Sequence, residues 1–409
     1  MNLIKKIKKL IEKVLLNIVK LESIQKYKIM ILGIPKELLD NETRVAVIPA
    51  TVKQYISAGF NVKIQSGAGE GSQISDSEFK DAGAEIVSDV SAIYNSSDMI
   101  LKVNAPTSDE IEMIKDGTSY ISFFQTMKET SKVAALQKKN ITGYSMHLIP
   151  RTTLAQKMDA LSSQTNIAGY KAVLIAACHI EKYMPLLMTA AGTIPPAKVL
   201  VLGAGVAGLS AIATAKRLGA QVEASDVRPE VKEQVESLGA KFLEVESDSD
   251  DGVGEGGYAK ETSEEYKKKQ AELLEQRIAD SDIVVTTALI PGRPAPTLIS
   301  DNMVKSMRPG SVIMDLAAEN GGNCSLTKPD EIVTIDGVMV DGTVNLAGTM
   351  SVHASQLYAK NVSAFILHGY DKEKKEFNLE DEIVSGSMFI HNGEIVDERT
   401  KSAIDGGDK

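Results

Sequence analysis

Lys198-Val-Leu-Val-Leu-Gly203-Ala-Gly205-Val-Ala-Gly208 is an apolar run that ends in a GxGxxG turn and opens into a helix-compatible segment. A run apolar on both faces predicts a buried parallel strand, and the glycines after it predict a dinucleotide-binding strand, turn and helix. Gly203 permits the tight turn, Gly205 lets the backbone approach a pyrophosphate, and Gly208 lets the helix pack on the strand. The helix N-terminus that follows attracts the negative phosphates. The next strand ends at Asp226, 23 residues after Gly203, where a carboxylate accepts hydrogen bonds from adenosine ribose hydroxyls and repels a 2′-phosphate. That spacing favours NAD over NADP. Arg228 pulls the other way, because an arginine there accommodates a 2′-phosphate. A flavin or other nucleotide, or a turn that holds no ligand, is the alternative reading of the glycines.

Outward from this motif, strand-like runs alternate with helix-like ones. Lys198 to Leu202, Gln221 to Ala224, Lys241 to Val245, Asp282 to Thr287, Ser311 to Leu316 and Val338 to Val340 make six strands, the number in a complete Rossmann unit. Before them, Ile29 to Ile34, Asn61 to Gln65, Asp98 to Val103, Tyr120 to Phe124 and Ile141 to Met146 form a second such series, and Ala155 to Met188 reads as mostly helical. The expected fold class is therefore α/β: two doubly wound parallel-sheet domains, one a Rossmann NAD-binding domain, with the site in the cleft between them. Residues 1–29 read as an extension, 30–150 with about 346–409 as a discontinuous first domain, and 151–345 as the Rossmann domain.

Composition excludes several classes. With 409 residues, 43% of them hydrophobic, the chain can bury more than one core. A net charge of −10 argues against nucleic acid as a partner, since phosphate recognition needs a concentrated basic surface. Two cysteines, Cys178 and Cys324, are too few for a disulfide framework and suit a reducing, cytoplasmic setting. Residues 1–28 stand apart: eight lysines against Glu12 and Glu22 give +6, leaving −16 for the rest. Leu3, Ile4, Ile7, Leu10, Ile11, Val14, Leu15, Ile18 and Val19 fall on one helix face. Such a basic amphipathic helix suits an anionic membrane surface but is too interrupted to span one. Translation from Met30, or a local packing helix, explains it equally.

Three further stretches bear on chemistry. Arg151-Thr152-Thr153-Leu-Ala-Gln156-Lys-Met-Asp159-Ala-Leu161-Ser162 is dense in polar groups. At helical spacing Asp159 shares a face with Gln156 and Ser162, which allows a linked hydrogen-bond set with Arg151 at its start, or else a cap and a solvated face. From Glu244 to Glu265 nine carboxylates and four glycines predict a mobile loop, and Tyr258 after Gly257 fits the anchor of a lid. The spacing there lacks the regularity of an EF-hand calcium loop. His147, His179, His353, His368 and His391 show no metal-ligand spacing and read as packing or surface histidines.

Together, Pro150-Arg151-Thr-Thr-Leu-Ala-Gln-Lys-Met-Asp-Ala-Leu-Ser-Ser163, the stretch Pro195 to Gly208, Asp226-Val227-Arg-Pro-Glu-Val-Lys-Glu-Gln234 and Thr286-Thr-Ala-Leu-Ile-Pro-Gly292 resemble the NAD(H)-binding domain I of proton-translocating nicotinamide nucleotide transhydrogenases. The resemblance covers residues 30 to 370. Alanine dehydrogenases share the opening Gly33-Ile-Pro-Lys-Glu37, Asn41-Glu-Thr-Arg44 and Lys102-Val-Asn-Ala-Pro106, and are the second candidate family. Against them, Ser119 to Met127 lacks the histidine that serves their amino-acid chemistry, and Glu319 stands where they carry an aspartate.

The transhydrogenase resemblance implies that Arg151, Gln156, Asp159 and Ser162 surround the nicotinamide, with Gln156 nearest the reacting ring and Thr152, Thr153 and Leu161 beside them. It places Ala204, Gly205 and Val206 at the pyrophosphate and Asp226, Val227 and Arg228 at the adenosine ribose. Leu289 falls at the adenine side or ring wall, and Gly257, Tyr258 and Gln270 at the lid. It further implies a homodimer that docks, on the cytoplasmic face of the inner membrane, onto membrane-embedded subunits carrying NADP(H) and moving protons. The chain has one GxGxxG unit and no apolar run of spanning length, and Lys157 and the tail from Asp371 depart from the family pattern.

Overall fold

The structure is a computed structural model and describes residues 29–244, 264–290, 293–371, 373–374 and 376–406. The expected N-terminal amphipathic helix, and Gly257 and Tyr258 of the expected lid, lie outside the described residues.

Two sheets organise the chain. The strand Lys198–Leu202 sits inside a seven-stranded sheet, because Val199 to Leu202 are buried with neighbours on both sides. Its spatial order is Lys241–Phe242, Gln221–Ser225, Lys198–Leu202, Ile283–Thr286, Val312–Asp315, Val338–Asp341 and Ile332–Ile335. The first six are parallel in the Rossmann order 3-2-1-4-5-6. The seventh, Ile332–Ile335, pairs antiparallel at the edge and alternates exposed with half-buried residues, a pattern too weak to read as a sheet strand.

The other sheet has eight strands, in the order Glu394–Ile395, Met388–His391, Thr142–Ser145, Ser119–Phe123, Met99–Asn104, Ile31–Ile34, Asn61–Gln65 and Glu85–Val87. Its last six are parallel. Both sheets are thus mixed at one edge. The polar tail that the resemblance did not reach supplies the two antiparallel strands here, with Phe389 and Ile390 fully buried.

Two long helices join the halves. Ala160–His179 buries Ala172, Val173 and Ala176 in the Rossmann core, whereas Ser351–Gly369 buries Tyr358, Val362, Phe365 and Ile366 in the first core. Ala155, Met158 and Ala160 also pack in the first core, so the chain crosses over within the start of the first of these helices. Loops at the carboxyl ends of both sheets meet: Lys128, after Ser119–Phe123, donates to Asn320, after Val312–Asp315. Asn345 likewise donates to Asn41 O at 3.1 Å and Glu42 Oε2 at 3.3 Å. Among the described residues no helix is long and apolar enough to cross a membrane.

Candidate functional site

The site is built around the turn after Lys198–Leu202. Gly203 has φ +101°, a conformation L side chains rarely adopt, and a Cβ on Gly208 would lie 1.8 Å from Gly203 O. Helix and strand can approach this closely at the turn only because both positions are glycine. A Cβ on Gly205 would meet only the Arg228 guanidinium, at 3.9 Å, so this face of the turn is open. The helix Val206–Arg217 begins at Gly205 with no side chain capping it. Its first-turn amides are free of side-chain acceptors, which makes them an anion receiver.

Asp226 follows the neighbouring strand and is already engaged. Its Oδ2 accepts from Ala204 N at 2.7 Å and Arg228 Nη2 at 2.9 Å, and its Oδ1 accepts from Arg228 N and Nε, both at 2.9 Å. Burial alone would push this carboxyl up, but the Arg228 guanidinium and the two backbone N–H groups outweigh it and hold the group below the usual carboxylate range. Ala204 N thus faces the carboxylate instead of standing free for a phosphate. Arg228 is drawn onto Asp226 and over the turn, while Val227 is exposed beside it.

The polar run Arg151 to Ser162 divides by burial. Ala155 and Met158 are buried and Asn361 Nδ2 donates to Lys157 O at 2.8 Å, which seats the segment on the first core. Arg151, Thr152, Thr153, Leu154, Gln156 and Lys157 all face outward. Gln156 lies in the 3₁₀ turn Leu154–Met158, before the helix and not on its face. Asp159 is the cap of Ala160–His179: its Oδ1 accepts Ser162 N at 2.8 Å and its Oδ2 accepts Ser162 Oγ at 2.5 Å. The linked set that spacing allowed is consequently reduced to Asp159 and Ser162. Arg151 and Gln156 reach no side-chain partner among the described residues, and Leu161 is half-buried beside the cap. Leu289 and Ile290 are half-exposed after Ile283–Thr286, across the turn from Asp226, and Gln270 lies in the helix Glu264–Asp280.

The residues quoted as shared with alanine dehydrogenases form a buried ionic cluster at the first sheet's own switch point, between Ile31–Ile34 and Met99–Asn104. Arg44 makes a bidentate pair with Glu42, 2.8 Å from Nε to Oε1 and 2.6 Å from Nη2 to Oε2, and donates through Nη1 to Gln164 Oε1 at 2.9 Å. Lys102, 2% exposed, lies 2.5 Å from Glu110 Oε1 and 3.6 Å from Glu37 Oε2. Burial raises the Glu37 carboxyl above its usual range despite Lys102. Both cations are neutralised within the chain. Glu319 accepts Asn345 N at 3.1 Å, and burial, with Lys128 nearby, pushes the His147 imidazole down to about 4, so it is neutral at pH 7. Among the described residues no group of three His, Cys, Asp or Glu could hold a metal ion. Sequence reading did not single out Asp315 or Asn323, buried polar residues under the Leu289 loop that stand out no more than Glu319 and Asn320 in the same stretch.

Comparison with known proteins places this arrangement. The family model described as Alanine dehydrogenase/PNT, N-terminal domain, matches residues 33–168, and the C-terminal domain model matches residues 172–398. An NAD(P) transhydrogenase alpha-subunit chain of Rhodospirillum rubrum is 47% identical over 375 residues, covering 90% of this chain and 98% of that protein. A crystal structure of transhydrogenase from Sinorhizobium meliloti superposes with a TM-score of 0.81 at 45% identity, covering 90% of this chain and all of that one. An alanine dehydrogenase of Methanococcus maripaludis is more distant, at 29% identity over 92% of this chain and 97% of that protein.

Proposed function

The chain belongs to the family of NAD(P) transhydrogenase alpha subunits, and from that premise we propose that it binds NAD(H) on the Gly203 turn and exchanges hydride with NADP(H) held by a partner subunit. We take 30 to about 160 with about 347–409 as one unit and about 161–346 as the nucleotide-binding unit, since Ala155, Met158 and Ala160 pack in the first core and Leu346 in the second. The observation that carries the reading is an open, uncapped turn at Gly205 together with two exposed polar side chains, Arg151 and Gln156, that have no partner and include no acid–base group among the described residues.

The described residues fit a dinucleotide. The uncapped helix start at Val206 and the open face at Gly205 suit a pyrophosphate, and Asp226 is charged and placed for ribose hydroxyls once Arg228 yields part of its pairing. Bound nicotinamide supplies the redox chemistry itself, so the protein has to position and to exclude water. Gln156 and Arg151 would hold the carboxamide, and the Asp159–Ser162 cap would fix where the helix, and with it the 3₁₀ turn, begins. Direct transfer asks for close approach of two rings and for no proton donor.

Amino-acid oxidation would need a free cation for the substrate carboxylate and an acid–base group. The two cations at the first sheet's switch point, Arg44 and Lys102, are both paired with internal carboxylates, and Ser119 to Met127 carries no histidine. In the proposed assembly the membrane partner couples transfer to proton movement and the chain sits, as a homodimer, on the cytoplasmic face of the inner membrane. The purified chain should bind NADH and form none from NAD⁺ and L-alanine, and partner subunits loaded with NADPH should start transfer. Alanine-dependent NADH formation would refute this, and binding without transfer in the assembled complex would reduce the chain to a nucleotide-binding module.

A further inference from the structure

Asp315, 1% exposed, closes the strand Val312–Asp315 with five donors around its carboxylate. Thr286 Oγ1 and Ala317 N donate to Oδ1 at 2.9 and 3.0 Å, and Asn323 N, Cys324 N and Thr327 Oγ1 donate to Oδ2 at 2.7, 3.0 and 2.6 Å. This arrangement folds the following segment back and sets Asn323, fully buried, beneath the residues that leave Ile283–Thr286. The Asn323 amide then meets one N–H and two carbonyls: Ala288 N donates to Oδ1 at 3.0 Å, and Nδ2 donates to Ala288 O at 2.9 Å and Pro296 O at 2.8 Å. An asparagine amide offers both a donor and an acceptor, so it mimics a neighbouring strand for the Ala288 peptide. On the other flank Thr287 Oγ1 donates to Gly203 O at 3.0 Å. Backbone held on both sides ends abruptly at Leu289 and Ile290, whose side chains are 50% and 45% exposed.

We propose that Asn323 is a positioning residue for the nucleotide site, holding the Ala288 peptide so that Leu289 and Ile290 stand as a preformed apolar wall beside the Gly203 turn. The inference rests on the NAD(H) reading given above. Its physical content is preorganisation: two apolar side chains left exposed in water are kept in place before the ligand arrives, so binding does not have to order them. Asn323 acts through Leu289 and Ile290, with its own side chain directed at backbone.

A double-mutant cycle tests it in the full chain by calorimetry with NADH. Asn323→Asp keeps the size but turns a donor into a carboxylate facing two carbonyls, and Leu289→Gly removes the wall itself. Each single change should raise the NADH dissociation constant at least about fivefold, and the pair should add less than about twofold to the larger single effect, because residues acting through one another are non-additive. Independent, multiplied losses, or an unchanged constant in either single variant, would overturn the clamp. A second measurement needs no variant. Backbone hydrogen exchange at the Thr287 and Ala288 amides, which donate to Leu202 O and Asn323 Oδ1, should already be slow before NADH is added, whereas fast exchange that slows only with NADH would also overturn it. An unsubstituted chain that does not bind NADH would sink the nucleotide reading and the clamp together, while tight binding with additive losses would sink the clamp alone.

Discussion

Gln156 has the freedom its proposed role requires. Its backbone is fixed by the 3₁₀ turn and by buried Ala155 and Met158 on either side, while its amide extends into solvent without a partner among the described residues. Gln156→Asn should leave the NADH dissociation constant within a fewfold of the original and cut hydride transfer in the reconstituted complex at least about tenfold, since about 1 Å of misplacement can cost a hundredfold in rate. Weakened binding with an unchanged rate at saturation would make it an ordinary contact. Asp226 behaves differently, because it is engaged before any ligand arrives. Asp226→Asn frees Arg228 and removes the charge offered to the ribose, so calorimetry should show NADH binding weaker by about 1–3 kcal/mol. If the unmodified chain already binds NADPH as tightly as NADH, Arg228 and not Asp226 sets the preference.

Between elements, the decisive contact is where Ala160–His179 crosses the start of Val206–Arg217. Ser210 Oγ donates to Asn166 O at 2.7 Å, and a Cβ on Gly169 would stand 2.0 Å from Ala207 O. The helix that carries the Asp159–Ser162 cap thereby rests directly on the helix whose N-terminus would receive the phosphates in the proposed site. Gly169→Ala gains about 1 kcal/mol of helix propensity and meets an overpacking cost of about 1–3 kcal/mol, so urea unfolding should show a net loss. The same displacement should lower the transfer rate more than the NADH affinity. A chain that loses stability yet transfers at the original rate would reduce the contact to packing.

Over the whole molecule, two features remain for solution measurement. The hairpin of Leu187–Thr189 and Gly192–Ile194 projects with Met188 72% and Ile194 43% exposed, next to exposed Tyr183 and Leu186. In the proposed homodimer this apolar ribbon is a surface that gains from being covered by a partner. Met188→Lys should shift sedimentation toward the monomer, and an unchanged mass would put the dimer contact elsewhere. Acid stability follows from His147, near 4 in the folded chain against about 6.5 unfolded. Its neutral form is the one the fold accepts, so its contribution is complete above about pH 6.5 and is lost as pH falls toward 4. His147→Gln should flatten that part of the melting-temperature profile, and an unaltered profile would assign the acid loss to other groups.

Sequence by itself determined the two α/β series and the glycine turn at Gly203 that opens a helix after a buried strand. Those signals are local: a doubly buried strand has to be apolar along its whole length, and a phosphate turn has to be glycine where a Cβ would collide or φ is positive. Local spacing also suggested that Gln156 shares a helix face with Asp159, and there it failed, because the cap at Asp159 starts the helix three residues later. Only the tertiary structure decided that Arg44 and Lys102 are neutralised, that Arg228 is drawn onto Asp226, and that the last two strands come from the polar tail. Only it brought Asn323 under Ala288, 35 residues away along the chain. The physical reason is the same in each case: a side chain's charge and hydrogen-bonding capacity are written in the sequence, but the partner that satisfies them is chosen by packing between distant segments.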